Sequence, residues 1–167
     1  MEQKKEQNLA IEEVEDSLRK VMDPEIPVLS VMDLGMITGI QVCSDHIEVR
    51  MIPTFSACPA VQVIRGNIKK ELEQKFSIPV RVDIDHEISW NSNRITAEGK
   101  EKLRQFKIAP PAQTSMDWDD QILSEVPCPF CQSRKTYLRS PFGSTLCRSL
   151  HFCKDCGSLF EHFKELE

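Results

Sequence analysis

Cys128-Pro-Phe-Cys131 and Cys153-Lys-Asp-Cys156 decide how this chain is divided. The two C-x-x-C pairs stand 21 residues apart, and each can offer two thiolates to one cation from a tight turn. Four thiolates complete a tetrahedral site. The physical need is clear, because a segment of about 40 residues buries too little apolar surface to fold on that alone. A bound zinc contributes about 10–16 kcal/mol of apparent binding free energy to folding. Residues 127–165 therefore read as a zinc-ribbon module, with Cys128, Cys131, Cys153 and Cys156 as metal ligands. Zinc is the more frequent occupant of such knuckles. An iron–sulfur cluster also accepts four cysteines, and spacing does not choose between them.

The remaining thiol of the module, Cys147, leaves three readings open: a spare buried thiol, a fifth metal-site thiol, or a reactive thiol beside Arg148. His151 and His162 read as non-ligands, since the tetrahedral set is complete without them. Many ribbons bind nucleic acid, so charge matters here. Residues 127–167 carry six Lys and Arg against four Asp and Glu, too small a surplus for a phosphate-tracking surface. The whole chain has a net charge of −5, which gives no basic field for nucleic acid or an anionic membrane.

Upstream of the ribbon, Pro110-Pro111 and the acidic Asp117-Trp-Asp-Asp120 mark residues 108–126 as a linker. Residues 8–107 then form the first domain. Ile11, Val14, Leu18 and Val21 step by 3, 4 and 3, which predicts an amphipathic helix from residue 8 to Met22. Asp23-Pro24 ends it. Residues 23–35, with two prolines and a glycine, predict an ordered loop. Strands are expected over Met36–Val42 and His46–Met51, where Ile47, Val49 and Met51 alternate with Glu48 and Arg50. Val61, Ile64, Ile68, Leu72 and Phe76 predict a second helix. Val80, Val82 and Ile84 predict a third strand, and Thr96 caps a last helix with Leu103 and Phe106 facing inward. The expected class is α+β: a two-layer α-β-β-α-β-α domain followed by the four-cysteine ribbon.

Cys58, in Thr54-Phe-Ser-Ala-Cys-Pro59, is the one group of the first domain suited to chemistry. Proline favours the first helical turn, which places Cys58 at or beside the N-cap of the second helix. There the helix end favours thiolate over thiol, and Thr54 and Ser56 can add hydroxyl donors. Such a thiolate can hold iron or a cluster transiently, or act as a nucleophile; a buried cysteine that only packs is the plain alternative. A nucleophile would need a base, and His46 and His86 have no recognisable motif around them. Asp83-x-Asp85-His86 lacks the paired Glu-x-x-His units of a di-iron oxygenase, and there is no glycine-rich nucleotide loop. No catalytic residue is assigned. The charged N-terminus and the lack of any apolar run near 18 residues predict a cytoplasmic protein without a membrane span. In that compartment seven cysteines are ligands or free thiols rather than disulfides.

Three stretches resemble known families. Asp23-Pro-Glu-Ile-Pro-Val28 with Asp33-Leu-Gly35, and Thr54-Phe-Ser-Ala-Cys-Pro59, resemble the motifs of the SufT-like metal–sulfur cluster assembly domain. Cys128-Pro-x-Cys131, Phe142-Gly-Ser-Thr145 with Cys147, Cys153-x-x-Cys156 and Phe160-x-x-Phe-Lys164 resemble the tail of the PaaD family, the D subunits of the ring 1,2-phenylacetyl-CoA epoxidase complex. The resemblance spans residues 10–165. It departs from the family at Ala57, where glycine is common, and at Asn91-Ser-Asn-Arg94, where Thr-Thr-Asp-Trp usually follows the tryptophan.

The resemblance implies an accessory role in aerobic phenylacetate degradation: assembly or maintenance of an oxygenase metal centre, di-iron or iron–sulfur, with no activity of its own. It implies that Cys58 is the functional thiol, with Asp23 and Thr54 beside it, and that Cys147 is an additional participant at the metal. The implied partners are the oxygenase and reductase subunits, or other iron–sulfur assembly proteins. Two alternatives stay open, a purely structural docking subunit and an iron–sulfur assembly factor for another client.

Overall fold

Ordinary apolar periodicity builds the first half of the chain. In the computed structural model, which describes residues 11–55, 58–111 and 126–164, helix α1 covers residues 11–18 and buries Val14 and Leu18 completely. Its expected start at residue 8 lies outside the described residues. Its expected end at Met22 is corrected. The helix closes with a tight turn, Lys20 N–H to Ser17 O at 3.0 Å and Val21 N–H to Leu18 O at 3.1 Å. Beyond it the backbone is taken up by the proline loop: Val31 N–H donates to Val21 O and Asp23 N–H to Leu29 O. A helix cannot continue through carbonyls and amides already engaged elsewhere.

That loop is ordered by two buried carboxylates. Asp23 Oδ1 accepts from the amides of Glu25 and Ile26 at 2.8 and 2.9 Å. Asp33 Oδ2 accepts from the amide and hydroxyl of Ser30, both at 2.8 Å. Side chains of this type replace a backbone turn with their own hydrogen bonds.

Strands β1 (Ile37–Val42), β2 (Ile47–Met51) and β3 (Val80–Ile84) form one sheet in the order β1-β2-β3. β1 pairs antiparallel with β2, and β2 pairs parallel with β3. The parallel pair is joined through helix α2 (Val61–Phe76), as parallel strands require a crossover. Ile47, Val49 and Met51 of β2, Val80 and Val82 of β3, and Ile64, Ile68 and Leu72 of α2 are all buried, and α2 packs on β3. Each such side chain contributes about 1.5–3 kcal/mol when fully withdrawn from water. Trp90 is buried as well and donates from Nε1 to Leu34 O at 2.7 Å. The elements follow the α-β-β-α-β-α order expected from the sequence, but the last helix, α3 (Ala97–Gln105), belongs to the second unit.

Chain contacts divide the molecule into Met1–Trp90 and Asn91–Glu167, a boundary earlier than the composition break after residue 107. The reason is hydrogen bonding. Ile108–Ala109, expected in the linker, form strand β4, which pairs parallel with β7 (Leu159–Phe163), and α3 packs on β4. The second unit thus holds a short 3-10 helix (Ser92–Arg94), α3, and a sheet in the order β4-β7-β6-β5, with β5 at Thr136–Ser140 and β6 at Arg148–Cys153. The acidic stretch 117–120 lies outside the described residues. Thr96 caps α3 as expected, its hydroxyl accepting from Gly99 N–H at 3.0 Å. Leu103 is buried, but Phe106 is 47% exposed. It occupies the C-cap, where the backbone has left helical geometry and the period no longer aims the side chain inward.

Candidate metal centre

The second unit folds its two cysteine pairs as matching knuckles. In the first, Gln132 N–H donates to Cys128 O at 2.8 Å and Cys128 N–H to Ser133 O at 2.9 Å. In the second, Gly157 N–H donates to Cys153 O at 3.0 Å and Cys153 N–H to Ser158 O at 2.9 Å. Gln132 and Gly157 both take positive φ, 62° and 73°, which turns the chain sharply after the second cysteine of each pair. The repeat is therefore C-x-x-C-x-Ser, longer than the C-x-x-C spacing alone suggests. The signal was present in the sequence at Ser133 and Ser158.

The four sulfurs lie within 4.8 Å of one another. Cys128 Sγ is 3.7 Å from Cys156 Sγ, and Cys131 Sγ is 3.6 Å from Cys153 Sγ. A tetrahedral zinc with Zn–S bonds of ~2.3 Å spaces its thiolates about 3.8 Å apart. The donor set therefore fits one ion. A cluster would put several irons between the sulfurs and spread them further. Cys128 and Cys153 are fully buried, and Cys131 and Cys156 are exposed. Hydrogen bonds from the Ser158 hydroxyl and amide hold the Cys156 thiol down to about 6. The Ser133 amide favours thiolate at Cys131, but burial and the thiols of Cys156, Cys153 and Cys128 together push it up to about 12. Burial also raises Cys128. Across the knuckles, the Ser133 hydroxyl donates to Asp155 Oδ2 at 2.6 Å and Lys135 Nζ lies 3.3 Å from Asp155 Oδ1.

The other candidates take separate places. Cys147 lies outside the four-thiol set; it is buried, with its sulfur 3.1 Å from Thr145 Oγ1. His151 and His162 are buried, and their rings meet edge to face with centroids 5.3 Å apart. Ser149 Oγ lies 3.1 Å from His151 Nε2. In the first unit, Cys58 is half-buried in the loop between β2 and α2. Its amide donates to Phe55 O at 3.0 Å and its carbonyl accepts from Val61 N–H at 3.4 Å. The N-cap of α2 is Ala60, which gives no side-chain cap, so Pro59 precedes the helix instead of opening it and Cys58 stands two residues before the cap. Thr54 is half-buried in the same loop, whereas Ser56 and Ala57 lie outside the described residues. Asp23 spends Oδ1 on its own loop. His46 sits between Asp45 at 2.7 Å and Glu48 at 3.0 Å. Hydrogen bonds to those two carboxylates raise its pKa above the usual histidine range, the opposite of what a neutral general base needs.

Among the described residues no helix is long and apolar enough to cross a membrane. Residues 114–164 match the family described as PaaD zinc beta ribbon domain, and residues 11–83 match the family described as iron–sulfur cluster assembly protein. An Escherichia coli K12 protein, provisionally named as the D subunit of 1,2-phenylacetyl-CoA epoxidase, is 35% identical over 92% of this chain and 92% of its own length. An Fe-S protein maturation auxiliary factor of Porphyromonas gingivalis is 34% identical over 55% of this chain and 89% of its own length. A crystal structure of a DUF59 domain from Bacillus anthracis covers 59% of this chain and 94% of its own length, with TM-score 0.55 and 21% identity, and shares the fold. With both domains matched in order and the E. coli relative aligned almost end to end, the chain belongs to the PaaD family of phenylacetyl-CoA epoxidase D subunits.

Proposed function

We propose that this chain is a non-catalytic accessory subunit that assists assembly or maintenance of the metal centre of an oxygenase of the phenylacetyl-CoA epoxidase type. The observation that carries this reading is the pairing of an iron–sulfur assembly domain with a zinc ribbon in one chain, together with a relative named as an epoxidase component. The ribbon ion is zinc, held by Cys128, Cys131, Cys153 and Cys156. It fixes the fold and performs no chemistry on substrate. A single-ion sulfur spacing supports zinc over a cluster at this place. Cys147 serves the ribbon as a packing thiol.

Cys58 is the thiol that handles iron or a cluster as cargo. Its half-buried position in the β2–α2 loop supports this, because an incoming iron can reach it there. On ligation the thiol gives up its proton and the sulfur lone pair binds the iron. Asp23 and Thr54 act as positioning residues, Asp23 by shaping the proline loop and Thr54 by shaping the cysteine loop. The partners are the oxygenase and reductase subunits, in a reducing, cytoplasmic setting that keeps the seven cysteines out of disulfides.

The test is metal and acid-labile sulfide analysis of anaerobically purified chain, wild type beside Cys58→Ser and Cys128→Ser, combined with recovery of iron by the apo-oxygenase. Zinc lost only in Cys128→Ser, with oxygenase iron recovery lost in Cys58→Ser, is the expected result. Full recovery with Cys58→Ser would favour the docking-only reading. That reading draws on the exposed Phe142 and Leu146 of the ribbon.

A further inference from the structure

The connection between β5 and β6, residues 141–147, holds the Phe142-Gly-Ser-Thr145 motif, which neither the zinc site nor the Cys58 loop uses. It lies at the far end of the hairpin from the metal, since Cys153 pairs with Thr136 at the knuckle end. A strand of five residues separates the two ends by roughly 15 Å. Loops of this kind are usually polar, yet here Phe142 is 62% exposed and Leu146 is 46% exposed.

Beneath those two side chains the loop is unusually well fastened. Arg148 Nη1 and Glu161 Oε2 form a part-buried ion pair at 2.6 Å, with Arg148 buried and Glu161 partly open to solvent. Glu161 Oε1 accepts from Ser144 N–H at 2.5 Å, and Arg148 Nε donates to Thr145 Oγ1 at 2.9 Å. Gly143 N–H reaches Arg148 O at 2.8 Å, and Lys164 N–H reaches Cys147 O at 3.0 Å. The Ser140 hydroxyl serves Phe142 twice, donating to its carbonyl at 2.8 Å and accepting from its amide at 3.1 Å. An added Cβ at 143 would stand 2.7 Å from Glu161 Oε1 and 3.2 Å from Arg148 Cβ, so a larger residue there would have to push the Glu161 carboxylate aside. Withdrawing the Arg148 guanidinium from water carries a desolvation cost that a hydrophobic side chain of the same size would avoid. What it does secure here is a single shape for a seven-residue loop bearing two exposed apolar groups.

We infer that this loop is a preorganised docking finger whose Phe142 and Leu146 enter an apolar cleft rimmed by carboxylates on the oxygenase. The inference rests on the accessory-subunit reading and names its contact. Charge supplies the complementarity. Lys164 Nζ lies 5.2 Å over the Phe142 ring and Arg139 is exposed at the end of β5, while the one acidic group of the finger, Glu161, is already held by Arg148. Aromatic anchors on rigid loops concentrate binding energy, because little ordering is left to do on contact.

The test measures binding of the zinc-loaded full chain to purified oxygenase subunits. Wild type is compared with Phe142→Ala/Leu146→Ala and with Lys164→Glu, and oxygenase iron recovery is read in parallel. Phe142 and Leu146 are exposed, so zinc content and melting of the double variant should match wild type. Lys164 is half-buried and donates from Nζ to Pro141 O at 3.3 Å, so its variant is compared only at matched zinc content and melting. The double variant should raise Kd at least about 30-fold, and Lys164→Glu should weaken binding and flatten its salt dependence. If wild type binds and restores iron but the double variant binds equally well, the finger is overturned and the accessory reading stands. If wild type neither binds nor restores iron, the accessory reading fails and the finger falls with it.

Discussion

The two units of this chain reach stability by different means. In the first, an aliphatic core lies under a three-stranded sheet: Val14 and Leu18 of α1, Ile47 and Met51 of β2, and Ile68 and Leu72 of α2 are all at or near zero exposure. In the second, Ile95, Leu103, Ile108 and Phe163 are buried, and a further cluster joins Ala109, Val126 and Phe160 to two of the metal-ligand cysteines, Cys128 and Cys153. There two of the ligands are part of a core cluster, which couples folding of the ribbon to metal binding. The first unit should therefore tolerate loss of metal, and the second should tolerate loss of neighbouring apolar contacts only while the metal is bound.

The largest effect should come from removing the ion. Cys128→Ser, or treatment with a strong chelator, takes away about 10–16 kcal/mol of apparent metal-binding free energy. Amides of β5, β6 and β7 should then lose hydrogen-exchange protection, while those of α2 and β2 keep theirs. Protection retained across β6 after zinc loss would mean that the aromatic and histidine contacts of the ribbon suffice, and the contrast between the units would collapse. The reciprocal experiment is Leu72→Ala in α2. A cavity in that core should cost about 2–5 kcal/mol, read as a lower denaturant midpoint for the first unit. The zinc content of the ribbon should not change.

The contrast also explains what the sequence disclosed. Ile47, Val49 and Met51 alternate with Glu48 and Arg50 because one face of β2 is buried, and a period of two follows directly. The four cysteines were legible because a metal dictates ligand type and spacing. The end of α1 was not legible, since it depends on Val21 O being captured by Val31 N–H, a contact made by a loop with no period. Strand β4 was hidden for a related reason: its two residues owe their pairing to Glu161 and His162, more than fifty positions later. Phe106 fits the helical period, but the helix stops one residue before it. At the site, the ligands are readable one pair at a time, whereas the supports Ser133 and Ser158 carry a signal only when the two knuckles are laid side by side, because a lone serine after a cysteine is common.

That repetition supports a smaller and sharper prediction. The two knuckles share one backbone shape, yet the left-handed position is Gly157 in one and Gln132 in the other. A side chain in that conformation costs about 1–2 kcal/mol relative to glycine, and glycine returns about 0.5–1 kcal/mol of that through the greater freedom of its unfolded chain. Gln132→Gly should thus stabilise the zinc-loaded ribbon by about 0–1.5 kcal/mol, a rise of at most a few degrees in its melting temperature. Gly157→Gln should destabilise it by a similar amount, because the added Cβ meets open space and only the backbone term remains. Matched and opposite shifts would show that the knuckles are energetically equivalent. Unequal shifts would show that Asp155, which the Ser133 hydroxyl binds from the first knuckle, stabilises one turn more than the other.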